Sequence, residues 1–324
     1  MNRQPTNRLN RRSFIRTAGT GAAAGLALPA LTNLDHLRAA MVDSNSAASA
    51  VQQFYASLTD RQLLTLCFRY GHARQRRVHA NWNITEPVIG DDFYSNDQRE
   101  LIDQILKSIT SEDGYERLTR QMEDDIGGID EFSVAIFGDP DAGRFQWELT
   151  GRHLTLRADG AYRDKAAFGG PIIYGHGEED PADNMYHPQT QQVNELFRAL
   201  DPAQMQRALV AQAPQETAVQ VQGKSGEFTG LSVSDMSTDQ KQLMEETLKS
   251  LLSPFRAEDV EEAVTTMKAG GGLDSLRMSF YEEGDIDNDR VWDMWRIEGP
   301  TFVWHFRGFP HVHAIINIGE PVNG

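Results

Sequence analysis

The sequence is poor in cysteine, in cationic charge and in long apolar runs. Cys67 is its one cysteine, which excludes an intramolecular disulfide and any thiolate cluster around a metal. That thiol falls in an apolar helical run, Leu63 to Phe68, where burial is the ordinary state of a cysteine. Lys and Arg number 31 against 47 Asp and Glu, a formal charge of −16. A surface so acidic repels phosphate backbones, so no nucleic acid partner is expected. Arg74, Arg76 and Arg77 stand alone as a basic cluster and read as solvated or carboxylate-paired. Beyond the first forty residues no uncharged apolar segment approaches the ~20 residues that span a bilayer, so no stable membrane insertion is expected of the rest. A GxSxG elbow, a P-loop, a GxGxxG turn and an HExxH helix are all missing, which leaves the common hydrolase, nucleotide and metalloprotease signatures without support.

What is present begins with an export signal. Arg11-Arg12-Ser13-Phe14-Ile15 is followed by a mildly apolar stretch from Thr17 to Leu31 and by small residues around Ala39-Ala40. A basic start, a short apolar middle and a small-residue end are the order of a secretory signal, and the paired arginines make it the twin-arginine type. Residues 1–40 read as that signal and 41–50 as a flexible mature N-terminus. The expected partner is then the twin-arginine export machinery, and the expected location is periplasmic or extracellular. Removing six arginines and one aspartate takes the charge from −16 to −21. The twin-arginine route moves folded proteins, often with a cofactor already inserted, which hints at a bound metal.

Four segments share one helix-start grammar: Thr59 to Gln62, Ser95 to Gln98, Asp201 to Gln204 and Ser237 to Gln240. Each pairs a capping Ser, Thr or Asp with a Gln three residues on, and an apolar residue, Leu58, Tyr94, Leu200 or Met236, directly precedes the cap. Thr59 to Asp201 and Ser95 to Ser237 are both 142 residues apart, and equal offsets point to duplication. Trp147 to Leu156 resembles Trp295 to Trp304 at an offset of 148. Gly138-Asp139-Pro140-Asp141 and Gly284-Asp285-Ile286-Asp287 lie upstream of these and read as turns rather than calcium loops, because the closing Glu and Gly of an EF-hand are missing. The expected fold is α+β: two similar helix-then-antiparallel-strand halves, about 51–170 and 188–318, packed as one pseudo-symmetric unit and joined by Gly169 to Pro188.

The chemistry concentrates near the C-terminus. Thr301 to Ile318 fits two strands with a turn at Gly308 to Pro310. On a strand, side chains two apart share a face, so His311 and His313 point the same way, roughly 6 to 7 Å apart along the chain. His305 lies on the preceding strand, and His153 in the matching strand of the first half, two positions past Gly151 as Thr301 is past Gly299. His153, His305, His311 and His313 are therefore the candidate ligands of a divalent transition metal, with zinc, copper and iron all open. His176, Glu178 and His187 fall in the Gly- and acid-rich connection and read as solvated linker. His72 and His79 carry no assigned role, and the alternating Trp292, Trp295, Phe302, Trp304 and Phe306 read as core.

From about residue 54 to 318 the chain resembles the bacterial family catalogued as domain of unknown function 3500. The likeness rests on Gly151-Arg152-His153-Leu154-Thr155-Leu156, on Arg296-Ile297-Glu298-Gly299-Pro300-Thr301-Phe302 and on His311-Val312-His313. The resemblance implies no activity, but it marks His153, His311 and His313 as matching positions. Arg152 stands where the family has a first histidine, and His305 where many members have a glutamate. Two readings follow. One is an exported metal-binding protein, possible as a hydrolytic or redox enzyme on a small-molecule or polymer substrate; the other is a metal-free extracytoplasmic binding or structural protein.

Overall fold

The computed structural model describes residues 46–160, 166–285 and 288–321. The export signal read at residues 1–40 lies outside them, as do Ile286 and Asp287. Four helices begin where the capping grammar places them. Helix α1 spans Ala47–Ala56 and α2 Asp60–Leu66, followed by the short strand β1, Cys67–Phe68. Helices α3 (Asn96–Ile109) and α4 (Glu112–Ile126) come next. Strands β2 (Ser133–Asp139), β3 (Arg144–Gly151), β4 (Leu154–Asp159) and β5 (Ile172–His176) come before a second series of helices and strands, which has an additional short strand. It runs through α5 (His187–Arg198), α6 (Pro202–Ala208), β6 (Leu209–Val210), β7 (Leu231–Ser232), α7 (Thr238–Leu252) and α8 (Ala257–Ala269). Strands β8 (Arg277–Tyr281), β9 (Met294–Gly299), β10 (Phe302–Arg307) and β11 (Val312–Ile318) finish it. All four expected capping boxes form: the Thr59, Ser95, Asp201 and Ser237 side chains accept from the amide three residues on, and the Gln there returns a bond to the cap backbone.

The architecture is α+β, built on one mixed sheet of order β1-β2-β3-β4-β5-β11-β10-β9-β8-β6, with β7 added beside β8. Neighbours are antiparallel except at the two edges, where β1 lies parallel to β2 and β6 parallel to β8. The departure from an all-antiparallel expectation has a topological cause. A helical crossover, α3 with α4 or α7 with α8, separates each edge strand from its neighbour, and only a long crossover permits parallel pairing. The stretch from Gly169 to Pro188, which the sequence presents as a connection, contains β5, and β5 pairs antiparallel with β11 at the middle of the sheet.

Period-two alternation sorts the strands onto two faces. Trp147, Leu149, Leu156, Tyr174, Trp295, Ile297, Trp304, Phe306 and Ile316 face the helices, meeting Phe54, Ile102, Ile105, Leu106, Val193, Leu196, Met244 and Leu251 in one core. Each such side chain, fully withdrawn from water, contributes about 1.5–3 kcal/mol. The opposite face carries Ile173, Val303 and Ile315 beneath Ala80 and Val219 from the long loops. It also buries polar groups: Gln146, Glu148, Arg157, Arg296, Glu298 and His305. Arg157 Nη1 donates to Glu148 Oε1 at 2.5 Å, and Arg296 Nε to Glu298 Oε2 at 2.8 Å. Among the described residues no helix is long and apolar enough to cross a membrane.

Several local expectations resolve differently. Arg74 and Arg77 lie over the rings of Phe68 and Trp82, 5.0 and 4.7 Å from their centroids, rather than on carboxylates. Cys67 is partly buried and burial pushes its thiol up to about 12, so it is no nucleophile at neutral pH. Asp139 Oδ1 accepts from the amides of Asp141 and Ala142, the turn role its sequence implied.

Candidate metal centre

The site lies where the start of β4, the end of β5 and the start of β11 meet. The β10–β11 hairpin sets His311 just before β11 and His313 within it, and the pairing of His313 with Gly175 and of Val312 with His176 ties them to β5. His153 occupies the turn between β3 and β4 rather than a strand, with φ at 56°. A non-glycine residue in that left-handed region carries local strain, of order 1–3 kcal/mol, and persists only where its surroundings over-determine it. Here they do: the His153 N–H donates to Ala80 O at 2.6 Å and its carbonyl accepts from Gln121 Nε2 at 3.0 Å. Gln121 Oε1 is held in turn by the Tyr186 hydroxyl at 2.6 Å.

Three imidazoles converge. His153 Nε2 lies 3.1 Å from His311 Nε2, and His311 Nε2 lies 3.1 Å from His313 Nε2. The ligand atoms of all three fall within 4.8 Å of one another. Two bonds of about 2.0–2.1 Å to one ion give nitrogens about 2.9 Å apart at a right angle and about 3.4 Å apart at a tetrahedral angle, so 3.1 Å suits a shared ion.

The hydrogen bonds behind the rings decide how the imidazoles present themselves. Asp125 Oδ2 stands 2.8 Å from His153 Nδ1, and Glu216 Oε2 stands 3.1 Å from His313 Nδ1. A carboxylate only accepts, so both Nδ1 atoms carry the proton and both Nε2 atoms present lone pairs. His311 Nε2 touches both and has one proton at most to share, so the arrangement is complementary to a cation. Carboxylates behind ligating histidines are the usual means of fixing ring orientation and raising ligand basicity. Asp125 is itself fixed, its Oδ1 accepting from the Gly177 N–H at 2.7 Å. Glu216 is also bound by Arg307 Nη1 at 3.1 Å.

Burial favours the neutral form of His311 and His313, the form that binds metals. Burial pushes His311 down to about 4, helped by His313, His153, Arg307 and Arg152. His313 is lowered as well, by burial above all, with the Glu216 hydrogen bond opposing. Burial would raise Glu216, but the hydrogen bond from His313, with the Arg307 guanidinium beside it, outweighs it and holds the carboxyl at about 2.

His305 is not brought into this triad. The hairpin register pairs Arg307 with His313 and His305 with Ile315, which sets His305 two positions, roughly 7 Å, farther along the sheet. It is fully buried, neither ring nitrogen has a hydrogen-bond partner, and burial with Arg296 nearby lowers it to about 3. His176, which the sequence presents as solvated linker, ends β5 as a buried residue. Its Nδ1 accepts from the Met185 N–H at 3.3 Å, and its Nε2 lies 4.0 Å from Asp124. His187 opens α5 and contacts Gln191 at 2.9 Å, away from the triad.

Sequence reasoning missed Asp125 and Glu216. Asp125 had a legible signal. Glu123, Asp124 and Asp125 crowd the last turn of α4 before Gly127, where negative charge opposes the helix dipole and needs another justification. Glu216 lies in the loop after β6 and has no such mark.

The chain belongs to the family described as protein of unknown function (DUF3500). The family profile matches residues 41–317, nearly the whole chain. No curated protein and no solved structure matches it. The chemistry therefore rests on the geometry of the histidines.

Proposed function

We propose that this protein binds one divalent transition metal ion through His153, His311 and His313 and uses it as a metal-dependent enzyme. The observation that carries this reading is the convergence of three Nε2 atoms, two of them with a carboxylate behind the ring. Three ligands from one side leave a coordination position for substrate or water, the pattern of catalytic rather than structural sites. Three neutral imidazoles also leave the ion its full double charge. Such an ion supplies Lewis acidity toward water or a carbonyl or phosphoryl oxygen, and copper or iron in the same seat adds redox chemistry. The chain's own part is to keep His311 and His313 in the neutral form by burial and to orient the His153 and His313 rings through Asp125 and Glu216.

Metal analysis of the purified mature protein tests this. One equivalent of zinc, copper or iron is expected, lost in His311→Ala and His313→Ala with the circular dichroism spectrum retained. Substoichiometric metal indifferent to both changes favours a metal-free extracytoplasmic binding or structural protein instead.

The export reading belongs to the same proposal. A twin-arginine leader at residues 1–40 delivers the protein folded to the periplasm or beyond, so the ion is loaded before translocation. Changing Arg11 and Arg12 to Lys in a tagged full-length chain is expected to leave it in the cytoplasm. A periplasmic product from that variant would argue against the leader.

We further propose that the two halves arose by internal duplication into a pseudo-symmetric unit. Support comes from the repeated order of elements and from hydrogen bonds that recur at an offset of 142 residues. Gln98 Nε2 donates to Ser57 O as Gln240 Nε2 does to Ala199 O, and Gln62 Nε2 to Phe93 O as Gln204 Nε2 does to Asp235 O. In this reading the first half's turn kept His153, while the second has Thr301 at the matching place, so one metal site forms rather than two.

A further inference from the structure

We infer that the substrate of this site carries an oxyanion, a carboxylate or a phosphate, of which one oxygen reaches the ion and another is held by the guanidinium of Arg152. The inference rests on the metal-site reading above and names what that site accepts. Arg152 directly precedes His153, and its guanidinium reaches the same spot as the site's own groups. A Cβ built on Gly177 would stand 3.0 Å from Arg152 Nη2, 2.8 Å from Asp125 Oδ1 and 3.2 Å from His153 Cε1. The guanidinium, the carboxylate and the imidazole therefore meet above one glycine.

Arg152 is not occupied there. Among the described residues it makes no ion pair, and its Nε is buried with no hydrogen-bond partner. Asp125, which meets Arg152 above Gly177, already gives Oδ2 to His153 and Oδ1 to the Gly177 N–H. Nearby Asp124 is taken up by Arg120 at 3.4 Å. A planar guanidinium with free donors is the group best matched to a carboxylate or phosphate edge. Arg152 also lines a cavity of about 510 Å³ together with Asp125, His176 and Gly177, which adjoins the site on the Asp125 side of His153 and is not walled by the three histidines.

Charge points the same way. The carboxylates of Asp125 and Glu216 are matched by the guanidiniums of Arg152 and Arg307, so with neutral imidazoles the double charge of the ion is left for the ligand to balance. In a chain of net charge −16 the ion and Arg152 are what draw an anion here, because the cavity wall carries Asp124, Asp125, Glu178 and Asp183 against Arg120 and Arg152. Glu178 and Asp183 on the same cavity wall limit that attraction to a small anion and exclude a polyanion.

The test uses the mature protein loaded with Co(II), whose visible spectrum reports its ligands, titrated separately with acetate and with inorganic phosphate. We expect at least one of these anions to change the spectrum saturably. Arg152→Ala should weaken that binding tenfold or more and Arg152→Lys by less, with one cobalt per chain in each. A response to acetate alone assigns a carboxylate substrate, and a response to phosphate assigns a phosphoryl one. If cobalt binds stoichiometrically but neither anion is felt, or Arg152→Ala binds as tightly as the parent, the oxyanion subsite is overturned and the metal site stands. If the parent protein takes up no cobalt, the metal-site reading fails and this inference fails with it.

Discussion

Gln62 and Gln98 clasp each other: Gln62 Nε2 donates to Gln98 Oε1 at 2.8 Å, and Gln98 Nε2 donates back to Gln62 Oε1 at 3.1 Å. Both are buried, and each also closes the capping box of its own helix. The clasp returns at Gln204 and Gln240, at 3.0 and 2.8 Å. A capping glutamine on the surface is worth little, but here truncation strands a buried amide. Gln98→Ala should cost about 1–3 kcal/mol in urea unfolding. A double-mutant cycle with Gln62→Ala should show strong coupling, whereas Gln98→Ala with Gln240→Ala should be additive.

Removing the acceptor behind His153 should loosen the metal. Asp125→Asn keeps the size of the side chain but destroys the negative acceptor for His153 Nδ1–H. Competition with a chelator is expected to show a 10- to 100-fold loss of metal affinity, with the thermal midpoint of the metal-free protein little changed. Equal affinities in parent and variant would mean that Asp125 serves the fold alone.

Gly177 has no room for a methyl group. A Cβ there would stand 2.8 Å from Asp125 Oδ1, 3.0 Å from Arg152 Nη2 and 3.2 Å from His153 Cε1. Gly177→Ala must therefore push the carboxylate off His153 or move the ring. We expect weakened metal binding in the same chelator competition and a smaller effect on unfolding.

A buried carboxyl outside the histidine cluster should set a pH dependence of stability. Burial raises Glu148 to about 7, against the pull of Arg157. In the unfolded chain a glutamic acid loses its proton near pH 4.3, so between those values the folded state holds the extra proton. Stability from this group therefore falls as pH rises from about 4.3 through 7, by on the order of 3 kcal/mol. Glu148→Gln should flatten that slope in denaturant midpoints measured between pH 5 and 8, while a slope unchanged by the substitution would contradict the raised carboxyl.

Local features were the most legible. Helix starts at Thr59, Ser95, Asp201 and Ser237 are written in side chains that bond to backbone three residues away, so nothing distant is needed to read them. Alternation of Trp295, Ile297, Trp304 and Phe306 likewise exposes strand and face. β5 was hidden because Ile172 to His176 is short and set among glycines, and only pairing with β11 makes it a strand. His305 misled for a related reason: face is legible from spacing, but distance along the sheet depends on the register between strands.

The amino-acid order alone determined where four of the helices begin, which of the C-terminal strand residues face the core, that a single cysteine can form no thiolate cluster, and that His311 and His313 share a face. These depend on contacts between near neighbours along the chain. The tertiary structure decided that β5 and β11 lie side by side, which carries the β3–β4 turn and its His153 to the C-terminal pair, and that Asp125 from a helix and Glu216 from a loop stand behind the rings. Those partners are separated by 28 and 97 residues from the histidines they orient, and only the folded sheet, with helices on one face and loops on the other, brings such distant groups within a hydrogen bond of one another.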